Sequence, residues 1–256
     1  MEHIGINKTE CKIAILVGST DRVDVVCNYF GKNNRISTRR GFFISETRVA
    51  NIDVLVVCTG IGCPSLAIVV EELCMIGVKC FIRIGTCGAI KEGLPPGSII
   101  LSKAAIREEG TSSQYVDLSF PAVADIELIH IFSQHLIQYK HCFCCGITHT
   151  KDSFYSEKLE LQLSPNTQKE QWLKWKKAGI LATDMETSCL YVVSCLRGVR
   201  ACSIMVSVGE EKLDERIKKG QNFILDSFSQ CIKEIFALSS LSPEKHTVSK
   251  LTSFLE

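Results

Sequence analysis

Three glycine-rich segments carry side chains that could hold an anion. They read GSTDR at Gly18–Arg22, TGIGCPS at Thr59–Ser65 and RIGTCG at Arg83–Gly88. Glycine lets backbone N–H groups come close to a ligand, and such groups beside guanidinium forks bind oxyanions such as phosphate. The chain has no GxxxxGK[ST] segment. The pattern therefore predicts a phosphate held by arginines rather than by a P-loop, with Arg39-Arg40 as a further source of positive charge.

Arg83 stands in the middle of an apolar run, FIRIGTCGAI. A guanidinium that keeps its charge is costly to bury unless an anion meets it. Two partners are open, a bound oxyanion or a buried carboxylate from a neighbouring strand. A dinucleotide loop is disfavoured, because Ser65 occupies the third glycine position of GxGxxG and no acidic residue ends the next strand.

Glu186 lies in a second informative segment, ATDMETS. Thr183 and Glu186 have the Thr-x-x-Glu spacing of a capping box, so Glu186 could cap its own helix. Alternatively, its carboxylate lies at the mouth of the sheet and accepts hydrogen bonds from the vicinal hydroxyls of a sugar. Both interpretations stay open at this stage.

The elements that must position these residues alternate along the chain. Apolar runs and turn residues predict strands at Lys12–Gly18, Asp53–Cys58, Lys79–Gly85, Ser98–Ile106, Cys142–His149 and Arg200–Val208. Helices are predicted at Ser65–Ile76, Asp125–Gln138, Asp184–Arg197 and Ile217–Leu238. Glu71 and Glu72 mark the polar side of the first of these, and Gly77 its C-cap. This order predicts a largely parallel sheet covered on both faces, with ligands at the carboxyl ends of its strands.

Composition excludes several classes of protein. The 256 residues are 46% hydrophobic and 22% charged, with a net charge of +1, so no strong field favours nucleic acid or an anionic membrane. No apolar run approaches the roughly 18 residues of a membrane span, and Ile13–Val17 is too short for a signal peptide. We therefore expect a cytoplasmic protein whose fourteen cysteines are free thiols. HCFCCG at His141–Gly146 lacks the second ligand pair that a zinc site needs.

The composition along the chain also indicates its domain organisation. No linker or break in composition interrupts residues 1–238, which we expect to form a single domain. Residues 239–256 are polar and rich in serine and threonine, as in a loosely held C-terminal tail.

Four segments carry a family resemblance, TGIGCPSLAIVVEEL, IRIGTCGAI, FPAVAD and DMETSCLY. Because these four segments occur in this order, the chain resembles the nucleoside phosphorylases, and among them the uridine phosphorylases. The resemblance runs from His3 to about Leu238. The resemblance implies a three-layer α/β/α fold around a mixed, partly closed central sheet. It implies phosphorolysis of a nucleoside to free base and ribose 1-phosphate, with inorganic phosphate as co-substrate and no metal or organic cofactor. It also implies a homodimer or a hexamer, a trimer of dimers, with active sites shared between subunits.

The resemblance also assigns residues to the parts of such a site. Arg40, or Arg39 with a one-residue slip, would reach phosphate from the neighbouring subunit, and His3 would reach the ribose in the same way. Arg83 and Glu186 would be central to catalysis. Phosphate would be bound by Gly18, Arg22, Arg40, Arg83 and Thr86; ribose by His3, Thr86, Met185 and Glu186; and the base by Phe154, Lys158, Glu160 and Gly88.

Departures from the family pattern concentrate where the base is read. Lys158 and Glu160 replace the glutamine and arginine that pair with the uracil edge in uridine phosphorylases. A lysine only donates, and a glutamate repels the negative charge that grows on a departing uracil. Gly209, followed by Glu210 and Glu211, aligns with the purine-protonating aspartate of related enzymes. Base preference therefore stays open, and so does a catalytically degenerate homologue that retains phosphate or ribose binding.

A monovalent cation site is doubtful for a similar reason. Gly41 stands where the bacterial enzymes of the family carry a glutamate that helps to bind the cation. Cleavage of the glycosidic bond without phosphate is disfavoured, because hydrolases of this kind do not need Arg22 and Arg83.

Overall fold

Ten strands share one sheet in the computed structural model, which describes residues 1–139, 142–155, 165–209 and 215–241. The strands are β1 (Ile13–Val17), β2 (Asn34–Ser37), β3 (Ile44–Val49), β4 (Ile52–Cys58), β5 (Cys80–Ala89), β6 (Ile99–Glu108), β7 (Ala122–Val123), β8 (Phe143–Lys151), β9 (Ala182–Asp184) and β10 (Arg200–Val208). The helices are α1 (Thr20–Tyr29), α2 (Cys63–Met75), α3 (Ile126–Leu136), α4 (Pro165–Lys177), α5 (Thr187–Leu196) and α6 (Glu215–Ser239).

The central strand of the sheet is β5. It runs parallel to β1 on one side and to β10 on the other. The order β10-β6-β8-β9-β5, together with the β5–β10 pairing, closes these five strands into a ring, while β1, β4, β3 and β2 extend from β5 as an open sheet. Antiparallel pairs β5–β9, β6–β10, β3–β4 and β2–β3 make the sheet mixed. The mixed, partly closed sheet is confirmed, and the expectation of a largely parallel one holds only for part of it.

Helices cover both faces because the strands are apolar on both sides. Along β1, Ile13, Ile15 and Val17 pack into one buried cluster, while Ala14 and Leu16 pack into another, as the two-residue period of a strand requires. The first cluster includes residues of α1, α3 and α6, and the second includes residues of α2 and α5. The fold is therefore a three-layer α/β/α arrangement.

The predicted elements occur with small shifts at their ends, and β10 has the predicted bounds. The helix predicted over Asp184–Arg197 is wrong at its start. Thr183 pairs with Gly88 of β5 and Asp184 with Thr150 of β8, so this segment is strand and α5 begins at Thr187. The helices α1 and α4 and the strands β2, β3, β7 and β9 were not predicted.

Glu72 does not lie on a polar side of α2 as predicted. It is 8% exposed, and its carboxylate accepts hydrogen bonds from the backbone N–H of His3 at 3.0 and 3.1 Å and of Ile4 at 2.8 Å. Burial would raise the pKa of this carboxyl, but these donors outweigh burial and lower it. Glu72 therefore holds the N-terminal segment against α2. Gly77 was predicted to end this helix. It follows α2 and Ile76 with φ +96°, the left-handed conformation that glycine commonly adopts at the end of a helix.

All fourteen cysteines lie within the described residues and are free, which confirms the expectation of thiols. No helix in the described part of the chain is both long and apolar enough to cross a bilayer. The predicted tail falls outside the described residues from residue 242 onward.

Candidate active site

β5 carries Arg83 into the middle of the sheet. Arg83 pairs with Leu16 of β1 and with Ser203 of β10, and its side chain is 5% exposed. One terminal nitrogen, Nη2, donates to the carboxylate of Glu186 and lies 3.2 Å from Oδ2 of Asp184. Burial would lower the pKa of Arg83, but the two carboxylates outweigh burial and raise it. Of the two partners left open, the structure thus contains the buried carboxylate.

Gly85 makes room for this guanidinium. A Cβ at position 85 would lie 2.0 Å from Nη1 of Arg83 and 2.7 Å from its Cζ. Any other residue would therefore force the Arg83 side chain out of its place. The sequence pattern indicated glycines for backbone approach to a ligand, and it did not indicate this role.

Arg22 brings a second guanidinium to the same place. It lies in the first turn of α1, directly after β1, and its Nη2 donates to Oγ1 of Thr86 at 3.3 Å. Burial lowers the pKa of Arg22, and the positive charge of Arg83 lowers it further, while Glu186 acts in the opposite direction. Arg22 and Arg83 therefore repel each other, and the carboxylate of Glu186 offsets part of that repulsion.

Glu186 is held by a distant loop and does not cap its own helix. Its Oε1 accepts a hydrogen bond from the backbone N–H of Gly62 at 2.7 Å, where Gly62 has φ +94°. At the start of α5, the side chain of Glu186 makes no capping hydrogen bond. The capping-box interpretation is therefore wrong, and the carboxylate faces Arg83 instead.

Asp184 performs the capping, a role that the sequence reasoning missed. Its carboxylate accepts from the backbone N–H of Thr187 at 3.1 Å, from the Thr187 hydroxyl at 2.6 Å and from the Thr150 hydroxyl at 2.8 Å. Aspartate three residues before a helical threonine was the available signal. Asp184 thus ties α5 to β8 and places a second carboxylate beside Arg83.

The remaining residues of this group surround the end of β5. A Cβ at Gly18 would lie 3.8 Å from the carbonyl oxygen of Gly60, so the first two glycine segments are neighbours. The carbonyl of Met185 accepts from the Cys63 thiol at 3.2 Å. Gly88 lies directly opposite Thr183. The structure therefore brings together Gly18, Arg22, Arg83, Thr86, Gly88, Met185 and Glu186.

Other predicted site residues lie apart from this group. His3 binds Glu72 through Nδ1 at 2.8 Å, and the Arg40 side chain is 56% exposed and 4.0 Å from Glu2. Phe154 is 62% exposed and contacts the ring edge of Tyr155. Lys158 and Glu160 lie outside the described residues, as do Glu210, Glu211 and His141.

A group of metal-ligand type among the described residues consists of Cys63, Glu109 and Cys189, with ligand atoms within 4.8 Å of one another. It does not fit a metal ion. The two carboxylate oxygens of Glu109 already accept four hydrogen bonds, from the Ser112 and Ser188 hydroxyls and from the N–H groups of Thr111 and Ser112. The hydrogen bond with Cys189, together with burial, raises the pKa of the Cys63 thiol, so the ligand-competent thiolate is disfavoured.

Comparisons with known proteins agree along most of the chain. Residues 12–239 match the model of the family described as "Phosphorylase superfamily". The uridine phosphorylase of Treponema pallidum is 31% identical over 218 residues, which cover 82% of each chain. The guanosine phosphorylase of Halorubrum lacusprofundi is 31% identical over 193 residues, covering 75% of this chain and 76% of its own. A crystal structure of uridine phosphorylase from Vibrio fischeri, complexed with 6-hydroxy-1-naphthoic acid, superposes with a TM-score of 0.82 at 26% identity, covering 91% of this chain and 96% of its own.

Proposed function

The chain belongs to the phosphorylase superfamily as a uridine phosphorylase-like member, and on that premise we propose that it cleaves a nucleoside with inorganic phosphate. The products are the free base and ribose 1-phosphate. The observation that carries the proposal is the pair of guanidiniums, Arg22 and Arg83, facing each other beside Thr86 and Glu186. An oxyanion bound between them removes their mutual repulsion.

Phosphate finds several donors at this position. Nε of Arg83 is buried and has no hydrogen-bond partner among the described residues, so this donor is unused in the described part of the chain. The Thr86 hydroxyl adjoins Arg22, and Gly18 leaves the backbone before α1 open to a close approach. Arginine forks and hydroxyls together suit the tetrahedral oxygens of phosphate.

The sugar then lies against Glu186. Its carboxylate is the acceptor for the 2′- and 3′-hydroxyls, with Met185 beside it. A phosphate oxygen attacks C1′ while the bond from C1′ to the base nitrogen breaks, and the bonding electrons leave with the base. Positive charge grows on the sugar ring, where the phosphate and Glu186 stabilise it. Since phosphate is already an anion, alignment of the two substrates supplies much of the rate.

We further propose that two subunits share each site. His3 and Arg40 lie on one surface, because Glu2 approaches Arg40 and a Cβ at Gly5 would lie 3.1 Å from that of Arg39. Neither residue bonds Arg83 or Glu186 within the described part of this subunit, so they are free to serve a neighbour's site. The free cysteines suit a reducing compartment such as the cytoplasm.

The test is a panel of pyrimidine and purine nucleosides, with and without phosphate, in which base release is followed. Phosphate-dependent release from at least one nucleoside is expected, since relatives of similar identity are named for uridine and for guanosine. Arg83→Ala should abolish release, while Arg48→Ala, which removes an exposed arginine paired with Asp53, should not. No release from any nucleoside, with phosphate binding intact, contradicts the proposal and favours a degenerate homologue.

A further inference from the structure

A row of residues continues along one face of the sheet from the site proposed for sugar and phosphate. Gly88 of β5 pairs with Thr183 of β9, which pairs with His149 of β8. A Cβ at Gly88 would lie 3.4 Å from Cγ2 of Thr183, so both point to the same side. Thr86, two residues before Gly88, shares that side because of the two-residue period of a strand. The row therefore leads from the phosphate side, at Thr86, to His149.

His149 is held at both ring nitrogens. Nδ1 lies 3.0 Å from Oγ1 of Thr183, and Nε2 bonds the carboxylate of Glu108. A carboxylate only accepts, so Nε2 carries a hydrogen. When Nδ1 is also protonated, it donates to Oγ1, and the hydroxyl hydrogen of Thr183 is left to donate to a third group.

The surroundings of His149 suit a flat ligand. The rings of Trp172 and Trp175, both on α4, lie 6.1 and 5.9 Å from its ring. The indole N–H of Trp175 is buried and has no hydrogen-bond partner among the described residues. Aromatic rings beside this unused donor match a heteroaromatic ring with an acceptor atom on its edge.

We propose that Glu108, His149 and Thr183 form a hydrogen-bonded relay that recognises the leaving nucleobase. Thr183 contacts the base directly, while His149 and Glu108 are positioning residues that orient its hydroxyl. The ligand class is an oxo-substituted pyrimidine or purine. The inference rests on the proposed function, because the row adjoins the place where Thr86 and Glu186 would hold the sugar.

The relay acts on the electrons that leave with the base. When the bond from C1′ to the base nitrogen breaks, its electron pair spreads to a conjugated carbonyl oxygen or ring nitrogen. With both ring nitrogens of His149 protonated, the Thr183 hydroxyl donates a hydrogen bond to that atom, which stabilises the anion until it takes a proton from water. The relay does not depend on Lys158 or Glu160, the positions that align with the uracil-reading glutamine and arginine of uridine phosphorylases.

The test compares Thr183→Val, which keeps the shape and removes the hydroxyl, with Thr183→Ser. Two substrates are used, the best natural nucleoside and an analogue whose base leaves more easily: 7-methylguanosine for a purine enzyme, or 5-nitrouridine for a pyrimidine enzyme. Thr183→Val should lower kcat/KM for the natural nucleoside roughly 100-fold and for the analogue far less. Thr183→Ser should restore most of the loss, and His149→Gln should show the same dependence on leaving group.

Binding of the free base by calorimetry separates this inference from the proposed function. A wild-type protein that releases no base, yet binds uracil or hypoxanthine at least tenfold more tightly than Thr183→Val, contradicts the activity and supports the relay. An equal loss of kcat/KM for both substrates overturns the relay. Unchanged turnover and unchanged base binding in Thr183→Val also overturn it.

Discussion

Gly85→Ala places a new Cβ directly against the guanidinium of Arg83. The new Cβ would lie 2.0 Å from Nη1 of Arg83, where ordinary contact begins near 3.4 Å, so the guanidinium must move by about 1.4 Å. That movement separates Arg83 from Glu186 and from the position proposed for phosphate. Misplacing a reacting group by about 1 Å can cost on the order of 100-fold in rate. We expect kcat/KM to fall by about that factor, with a raised KM for phosphate.

The free energy of unfolding should fall by less than about 3–5 kcal/mol, which is the cost of removing one partner of a buried ion pair. Gly85→Ala displaces the pair of Arg83 and Glu186 without removing either member. Thermal unfolding and phosphate-dependent base release are measured side by side. Gly110→Ala is the matched control, since its Cβ would meet Oδ2 of Asp152 at an ordinary 3.6 Å. A Gly85→Ala protein within threefold of wild-type kcat/KM would refute the reasoning.

Two further predictions concern Arg22 and Glu72. Arg22→Gln should raise the KM for phosphate roughly 10- to 100-fold, because a charge-assisted hydrogen bond is worth about 1.5–3 kcal/mol, and an equal rise in nucleoside KM would argue against its role. Glu72→Gln should lower the free energy of unfolding at pH 7, measured in urea. Because the folded-state pKa of Glu72 is depressed, this difference should shrink as pH falls below the ordinary value of 4.5, and a constant difference would count against the carboxylate.

Local pattern sufficed for elements whose environment is uniform. β10 and α6 were predicted nearly to their ends, because one is mostly apolar and buried along nearly its whole length and the other carries Ile224, Phe228, Ile232 and Ile235 on a single buried face. Arg83 was recognisable as a buried cation for the same reason, since its neighbours in β5 are apolar.

Pairings between distant residues were beyond that pattern. The Thr-x-x-Glu spacing favoured a capping box, but Glu186 bonds Gly62, 124 positions away, and Arg83, 103 positions away. Glu72 likewise meets His3 across 69 positions. Spacing within one segment cannot rank such contacts against local ones, because the fold decides which donors arrive. The assignments of Gly18, Thr86, Met185 and the other site residues to phosphate, sugar and base stay predictions.

The two faces of the short strand β9 contact different parts of the molecule. Its pleat turns Thr183 toward His149 and turns the next residue, Asp184, toward Thr150 and Arg83. Under the proposed relay, substitutions on the Thr183 side alter recognition of the base, while the Asp184 side keeps the contact with Arg83 and the start of α5 in place. Base preference and the geometry around Arg83 are then set by opposite faces of one three-residue strand.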